Sequence, residues 1–520
     1  MLKERLVPYV KFSYLFLVMA AFFGLLYALQ LLGFGIDLIR PDLTRSLHIS
    51  LMLYGFIPLM MSLLPFALFD KDGVINEKAI ASLERFLWLW TIFLVFMIFS
   101  ILAGATRGLP FYDFAYELNF LLAMAGIFYI TAIFKSIAHY EKKPLWVQVS
   151  LVAVIVSPIA LLVLMHPKYG QVEKMLMGPH GDNTLGMSFA LVVIYYLAVK
   201  LASPNPAFKT RWHLLWIVPL AGYIGSVLYR SFIGSLSYDA EWFLQYLTLF
   251  YIPLFVVWWK DAKLSIKKHL TLFISMAAFL FADAEGNILF IPHLRALFHR
   301  NDLVVGHAHV AVGIGLLFLA LSIIEPFVKI SIKRALYLTM TLCMMALVLS
   351  ISGFAQAGFL PMHIETMWAL RALFGLFFIV GLLYRLPVHF LRRMRSVDWY
   401  NMAGFLSDGI SGFVLVLFGG WLYSFIAQDY APGYQQVVFG FVMGVGCMHL
   451  LGLLFFRYAH AMAQATVIVR TLTAAGFFAL YKVGVLGWIA LVIALVDFFF
   501  VLVYLFKVKD QARLCRVEAV

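Results

Sequence analysis

Residues 303–325 read Leu303-Val-Val-Gly-His-Ala-His-Val-Ala-Val-Gly-Ile-Gly-Leu-Leu-Phe-Leu-Ala-Leu-Ser-Ile-Ile-Glu325. A helix of about 20 such residues spans the hydrocarbon core of a bilayer. Before the closing Glu325, its only ionisable side chains are those of His307 and His309. Runs of similar character recur at 87–105, 145–165, 240–259, 409–426 and 484–506, and by the length criterion the chain holds about sixteen. Of its 520 residues 64% are hydrophobic and 12% charged, against roughly half and a quarter in a soluble domain. Membrane lipid is the expected solvent, and the expected fold is an all-α polytopic membrane helix bundle with no soluble domain of any size. The first run follows Met1-Leu-Lys-Glu-Arg5 and lacks a small-residue cleavage site, so it reads as a retained helix and not as a signal peptide.

A net charge of +13 would suggest nucleic acid for a soluble protein, but here the basic residues fall in alternate loops and report topology. When sixteen spans are threaded, one side collects Lys3/Arg5/Lys11, Lys135/Lys142/Lys143, Lys200/Lys209/Arg211, the 260–268 and 329–334 loops, Arg385–Arg395 and the Lys507–Arg516 tail. The positive-inside rule makes that side cytoplasmic, with both termini inside. Arg40, Arg45, Arg107, Arg295 and Arg300 remain on the other side. Around 385–395 a Pro and a charge cluster interrupt the apolar pattern, which suggests a division into 1–395 and a 396–520 segment of about four more helices.

Ionisable side chains inside membrane spans need partners, and their depth is informative. His48 stands at the outer end of the second span, in Leu43-Thr-Arg-Ser-Leu-His-Ile-Ser-Leu-Met-Leu-Tyr-Gly55, at a depth similar to that of His307 and His309. Residues i and i+2 of a helix are separated by about 200°, so one metal ion does not readily take both His307 and His309. Two flat macrocycles, one on each side of the helix, can each take one axial imidazole, and His48 can complete a six-coordinate iron on one side. Gly306 and Ala308 are expected to leave room for such rings. The alternative is three interfacial or hydrogen-bonded bundle histidines, each with its own polar partner. Cys343, Cys447 and Cys515 form no C-x-x-C or C-x-x-C-H, so covalent haem attachment and thiolate clusters are not expected.

With these residues in view, roughly residues 10–395 resemble subunit I of the haem-copper oxidase superfamily, most closely its C-family, cbb-type oxidases, with the nitric oxide reductases next. Leu43–Gly55 looks like the family's second-helix haem site. Ala282-Asp-Ala-Glu-Gly-Asn287 and then Asp302–His309 resemble its run from the ninth-helix glutamate into the tenth-helix H-x-H. His363 followed by Arg371-Ala-Leu-Phe-Gly375 resembles the stretch leading into the twelfth helix.

The resemblance implies a twelve-helix haem-binding core, with His48 and His309 ligating a low-spin haem b and His307 as proximal ligand of a high-spin haem. It places Glu285 near that second haem and gives Arg371 a haem propionate, although an arginine there can also simply snorkel. It further implies a bacterial or archaeal inner membrane, a cytochrome c or quinol donor, other membrane redox subunits as partners, and reduction of O2 or NO beside a copper or iron ion.

The family takes its second metal on one histidine of the sixth helix and an adjacent His-His pair of the seventh, and that pair is absent. The corresponding stretch reads Gly225-Ser-Val-Leu-Tyr-Arg230, and His213 lies at the other end of the span. The sixth span begins Gly178-Pro-His-Gly-Asp-Asn-Thr-Leu-Gly186, where the family's histidine aligns with Asp182 and His180 stands two residues earlier. His180 is thus a remnant second-metal ligand or part of a helix entry capped by Asp182 or Thr184. One imidazole and a carboxylate make a poor copper site, so the usual copper or non-haem iron centre is altered or gone. Tyr223, Tyr229 and Arg230 read as proton donors or an anion partner, or as interface anchors.

Asp408, His449, Arg457, His460 and Asp497 read as structural polar residues of the C-terminal helices, and His293 and His299 as exposed loop histidines. Two functions compete: a respiratory oxidoreductase passing electrons through the low-spin haem to an oxidant at the second, and a degenerate diheme electron-transfer, gas-sensing or scaffold subunit. A transporter is a third possibility, since buried charges also line substrate paths.

Overall fold

The computed structural model describes residues 2–34, 39–108, 112–143, 181–209, 214–298, 300–384, 395–425 and 431–508, with 147, 155, 162 and 166. Among the described residues all regular elements are helical, and 13 helices are long and apolar enough to cross a membrane. Ala190–Ala202 and Leu214–Arg230 are shorter apolar helices, and the span expected at 145–165 lies largely outside the described residues. The chain is an all-α polytopic membrane bundle whose many outward-facing Phe, Leu, Ile and Val side chains meet lipid.

Two compact units divide the chain: Met1–Gly35 with Arg40–Tyr384, and Ile36–Ile39 with Arg385–Val520. The first contains α1 (Leu2–Leu31), α2 (Pro41–Lys71), α3 (Glu77–Leu102), α4 (Tyr116–Ile137), α5 (Gly181–Ala202), α6 (Leu214–Phe232), α7 (Tyr238–Asp261), α8 (Leu270–Leu289), the short α9 (Pro292–Phe298), α10 (Asp302–Ile324), α11 (Ile332–Gln356) and α12 (Ile364–Leu383). The second contains α13 (Ser396–Ser424), α14 (Pro432–Leu454), α15 (Ala459–Lys482) and α16 (Trp488–Val508).

Helix starts carry their own stops. The side chains of Asn76, Ser237, Asn301 and Ser331 accept from backbone N–H groups of the first turns of α3, α7, α10 and α11, which satisfies donors that the helix itself leaves free. In the first unit α1 packs on α2 and α12, α8 on α10, and α10 on α11.

Among the described residues, two spans of this unit contain a π-helical stretch, Leu51–Phe56 in α2 and His309–Leu316 in α10. Such stretches disturb the carbonyl ladder, and within a bilayer each disturbed group needs another partner. Pro58 has no N–H to give to Tyr54 one turn back, and Trp90 Nε1 of α3 donates to the Tyr54 carbonyl at 2.7 Å. In α10 the Gly315 carbonyl accepts from Ser275 Oγ of α8 at 2.6 Å, and Ser275 Oγ lies 2.8 Å from Tyr195 Oη. Tyr195 and Ser275 are both fully buried. Ser275→Ala is expected to destabilise the protein by about 1–3 kcal/mol, the cost of stranding buried polar groups, read as a lower thermal midpoint in detergent. Tyr195→Phe, which removes one partner of Ser275 and leaves its bond to the Gly315 carbonyl, is expected to cost less.

Candidate functional site

His48 sits in the last regular turn of α2 before its π-helical stretch, and His309 opens the π-helical stretch of α10. Their ring centres are 6.3 Å apart and their planes lie within 22° of parallel. Each ring is oriented by a backbone carbonyl: His48 Nδ1 lies 2.8 Å from the Ala20 oxygen and His309 Nδ1 2.7 Å from the Val305 oxygen. A carbonyl only accepts, so Nδ1 carries the hydrogen in both rings and Nε2 keeps its lone pair. This is how metal-binding imidazoles are commonly held.

Gly24 of α1 makes the approach possible, since a Cβ there would stand 2.7 Å from His48 Nδ1. Gly24→Val is expected to displace the His48 ring from Ala20 and to cost about 1–3 kcal/mol through overpacking, measured by thermal unfolding.

Positive charge lies nearby. Arg371 of α12 is 8% exposed, and its guanidinium is 5.6 Å from the Tyr27 ring centre. Arg45, one helical turn before His48, shares with Arg300, Val304 and Val305 the lining of a cavity of about 330 Å³ at the start of α10. Asp302 ties this end of α10 down, its Oδ2 accepting from Ser352 Oγ at 2.6 Å, Gln356 Nε2 at 2.8 Å and Trp368 Nε1 at 2.8 Å.

His307 turns toward α8 instead. Its Nδ1 lies 3.3 Å from Glu285 Oε2, and Gly286 gives it room, a Cβ there falling 3.4 Å from His307 Cε1. The H-x-H pair therefore serves two neighbours, with His309 near α2 and His307 against α8. Gly306, expected to leave room for a ring, packs against a neighbouring helix instead. It brings α10 onto α11, where its Cβ would stand 2.9 Å from the Ala346 carbonyl, and Ala308 is exposed. Gly24 and Gly286, on other helices, make room beside His48 and His307.

A polar lining missed by the sequence reading lies near the Glu285 end of α8. Gln245 Nε2 donates to the Gly286 carbonyl at 3.1 Å and Asn287 Nδ2 to Thr248 Oγ1 at 3.0 Å. Asp283 Oδ2, Asn287 Oδ1, Gln245 Oε1 and Trp242 Nε1 are buried without a hydrogen-bond partner among the described residues. The signal for these groups was present as Asp, Asn and Gln within apolar runs, but their neighbours are remote in sequence.

Of the other expected residues, Tyr223 packs against the apolar cluster of Leu185, Leu244 and Leu247. Tyr229 is exposed, and Arg230 stands 3.9 Å from the buried Glu241. His293 and His363 are exposed. His180, His213 and His299 lie outside the described residues, as does the Asp182 side chain. Among the described residues no group of three or more His, Cys, Asp or Glu side chains is arranged to hold a metal ion. In the second unit Asp408, His449 and Asp497 come together around Arg470, a residue that the sequence reading passed over.

No protein-family model matches the chain, and comparison with curated proteins gives no match.

Proposed function

We propose that the chain is a membrane haem protein of haem-copper-oxidase type, carrying electrons from a cytochrome c or quinol donor to a small oxidant such as O2 or NO. His48 and His309 would hold a low-spin haem b, and His307 a high-spin haem on the other side of α10. The observation that carries this reading is the pair of oriented imidazoles with ring centres 6.3 Å apart. Two metal–nitrogen bonds of about 2.0–2.1 Å, extended on each side from nitrogen to ring centre, add up to roughly that span. When bound, the two groups supply one-electron transfer and an open iron position.

The protein's own contribution is orientation and charge. The Ala20 and Val305 carbonyls fix the two Nδ1–H groups, while Glu285 accepts from His307 Nδ1 and holds the tautomer of that ring. Arg371, with Arg45 and Arg300, supplies positive charge suited to propionates. The basic loops favour cytoplasmic termini, and the resemblance implies a bacterial or archaeal inner membrane with other membrane redox subunits as partners.

The donors for a second metal do not fit. No His-His pair stands in Gly225–Arg230, and Tyr223 lies in an apolar cluster. That observation favours a second reading, a diheme electron-transfer, gas-sensing or scaffold subunit that has lost the binuclear centre. Reduced-minus-oxidised and CO-difference spectra of the purified protein, with metal analysis, separate the cases. One low-spin and one CO-binding haem without copper or non-haem iron supports the second reading. A stoichiometric second metal supports a terminal oxidase or NO reductase. No haem at all rejects both and leaves the buried charges to a transporter.

A further inference from the structure

The second unit holds a cluster of ionisable groups contributed by all four of its described spans. Arg470 of α15 donates from Nη1 to Asp497 Oδ1 of α16 at 2.5 Å. From Nη2 it donates to Asp408 Oδ2 of α13 at 2.5 Å and to Ser407 Oγ at 3.1 Å. Its guanidinium also lies 3.8 Å from the Phe500 ring centre. The Arg470 side chain is 2% exposed and that of His449 0%, while Asp408 and Asp497 are 13% and 14% exposed.

The tautomer of His449 follows from its neighbour. Asn401 Nδ2 donates to the Ala459 carbonyl at 3.1 Å, so the atom presented to His449 Nδ1 at 3.0 Å is the acceptor Asn401 Oδ1. Nδ1 therefore carries the hydrogen, and in the neutral ring Nε2 holds a lone pair. Nε2 is buried without a hydrogen-bond partner among the described residues, and Asp408 Oδ2 stands 4.0 Å from it. Two acceptors thus face each other with no donor between them.

The backbone is built to bring them together. Asp408 lies in a third π-helical stretch, Phe405–Ile410. A Cβ at Gly404 would overlap the His449 imidazole, and Gly409 meets Gly446 backbone to backbone, the close approach that small residues give to membrane helices.

The charges do not balance. Arg470 carries one positive charge against the carboxylates of Asp408 and Asp497. Arg395 and Asp398, at the start of α13, pair with each other at 3.0 Å. Arg457, Lys482 and Lys507 stand at helix ends, and Tyr400, edge-on to His449 with ring centres 5.4 Å apart, adds no charge. His460 lies in the first turn of α15. One excess negative charge in a bilayer is costly unless neutralised.

We propose that this cluster is a proton-binding site within the membrane. Asp408 takes one proton from water, forming an O–H bond on Oδ2 that donates to His449 Nε2 as the two atoms close from 4.0 Å to hydrogen-bonding distance, and returns it to water on release. Arg470 with Asp497 is the fixed ion pair against which that proton is held. The site does not depend on haem.

The test is infrared pH-difference spectroscopy of the full chain in lipid nanodiscs, with carbon-13 aspartate separating Asp from Glu. The expected result is an aspartic acid carbonyl band that titrates as a single proton step, shifts in deuterium oxide and does not respond to sodium at fixed pH. Asp408→Asn should abolish the band, and His449→Gln should move its midpoint by about one pH unit or more. Absence of a protonated aspartic acid band at every pH in the wild-type protein overturns the proposal without any variant. So does a band that survives Asp408→Asn, or a sodium response marking the site as one for metal cations. Should Asp408→Asn not fold, nitrogen-15 spectra of the wild-type histidines replace it. His449 Nε2 should change from free lone pair to hydrogen-bond acceptor over the same pH range, and no change there overturns the assignment.

Discussion

His309→Ala is expected to abolish the low-spin haem signal of the purified protein and to leave the CO-binding signal, while His307→Ala does the reverse. On the proposed diheme reading, each variant should fall from two haems per chain to one. The asymmetry follows from the two sides of α10: His309 lies near His48, whereas His307 faces Glu285 at 3.3 Å. A bis-imidazole site needs both rings, so His48→Ala should reproduce His309→Ala, and the double variant should lose no more than either single one. That non-additivity marks two residues acting as a unit. An exchanged pattern, with His307→Ala removing the low-spin signal, would place Glu285 beside the wrong haem and reject the assignment. Spectra and haem content on the same preparations keep loss of ligand separate from loss of fold.

The second large effect is expected at Arg470. Arg470→Met preserves much of the side chain's apolar stem but leaves the Asp408 and Asp497 carboxylates without their shared partner. Removing one member of a buried ion pair typically costs about 3–5 kcal/mol, so the thermal midpoint in detergent should drop sharply or the protein should fail to accumulate. Combining Arg470→Met with Asp408→Asn and Asp497→Asn removes the stranded charges and should recover most of the loss. Failure to recover any of it would mean that Arg470 acts through its contact with Phe500, 3.8 Å from guanidinium to ring centre, and not through charge.

Much of this architecture was legible in the sequence, because lipid imposes a simple rule: about 20 apolar residues make a span. The opposed directions of His307 and His309 were legible for the same geometric reason, two residues being more than half a helical turn. Gly306 was not. A glycine beside a histidine suggests room for a ligand, yet which neighbour uses that room depends on packing, and here the α11 backbone at Ala346 takes it. Gly24 and Gly286, which do make room, lie far from the histidines they serve in sequence. Arg470 could have been noticed as a lone cation deep in an apolar run, but its partners on two other helices could not be named without the fold. The π-helical stretches carry no propensity signal of their own, and Pro58 hinted at only one of them.

Those stretches have a consequence for how the sequence can change. Each residue advances an α-helix by about 100°, so the extra residue accommodated in a wide turn resets the phase of everything beyond it. In α10 the reset begins at His309. The half of the span bearing the imidazoles and the half packed on α8 through Gly315 are thereby uncoupled in rotation. Inserting a further residue between 310 and 314, with no second wide turn to absorb it, would turn one half by about 100° against the other. Either the histidines or the buried Ser275 contact would then face the wrong neighbour, so the length of this short segment is constrained more tightly than its permissive apolar composition suggests.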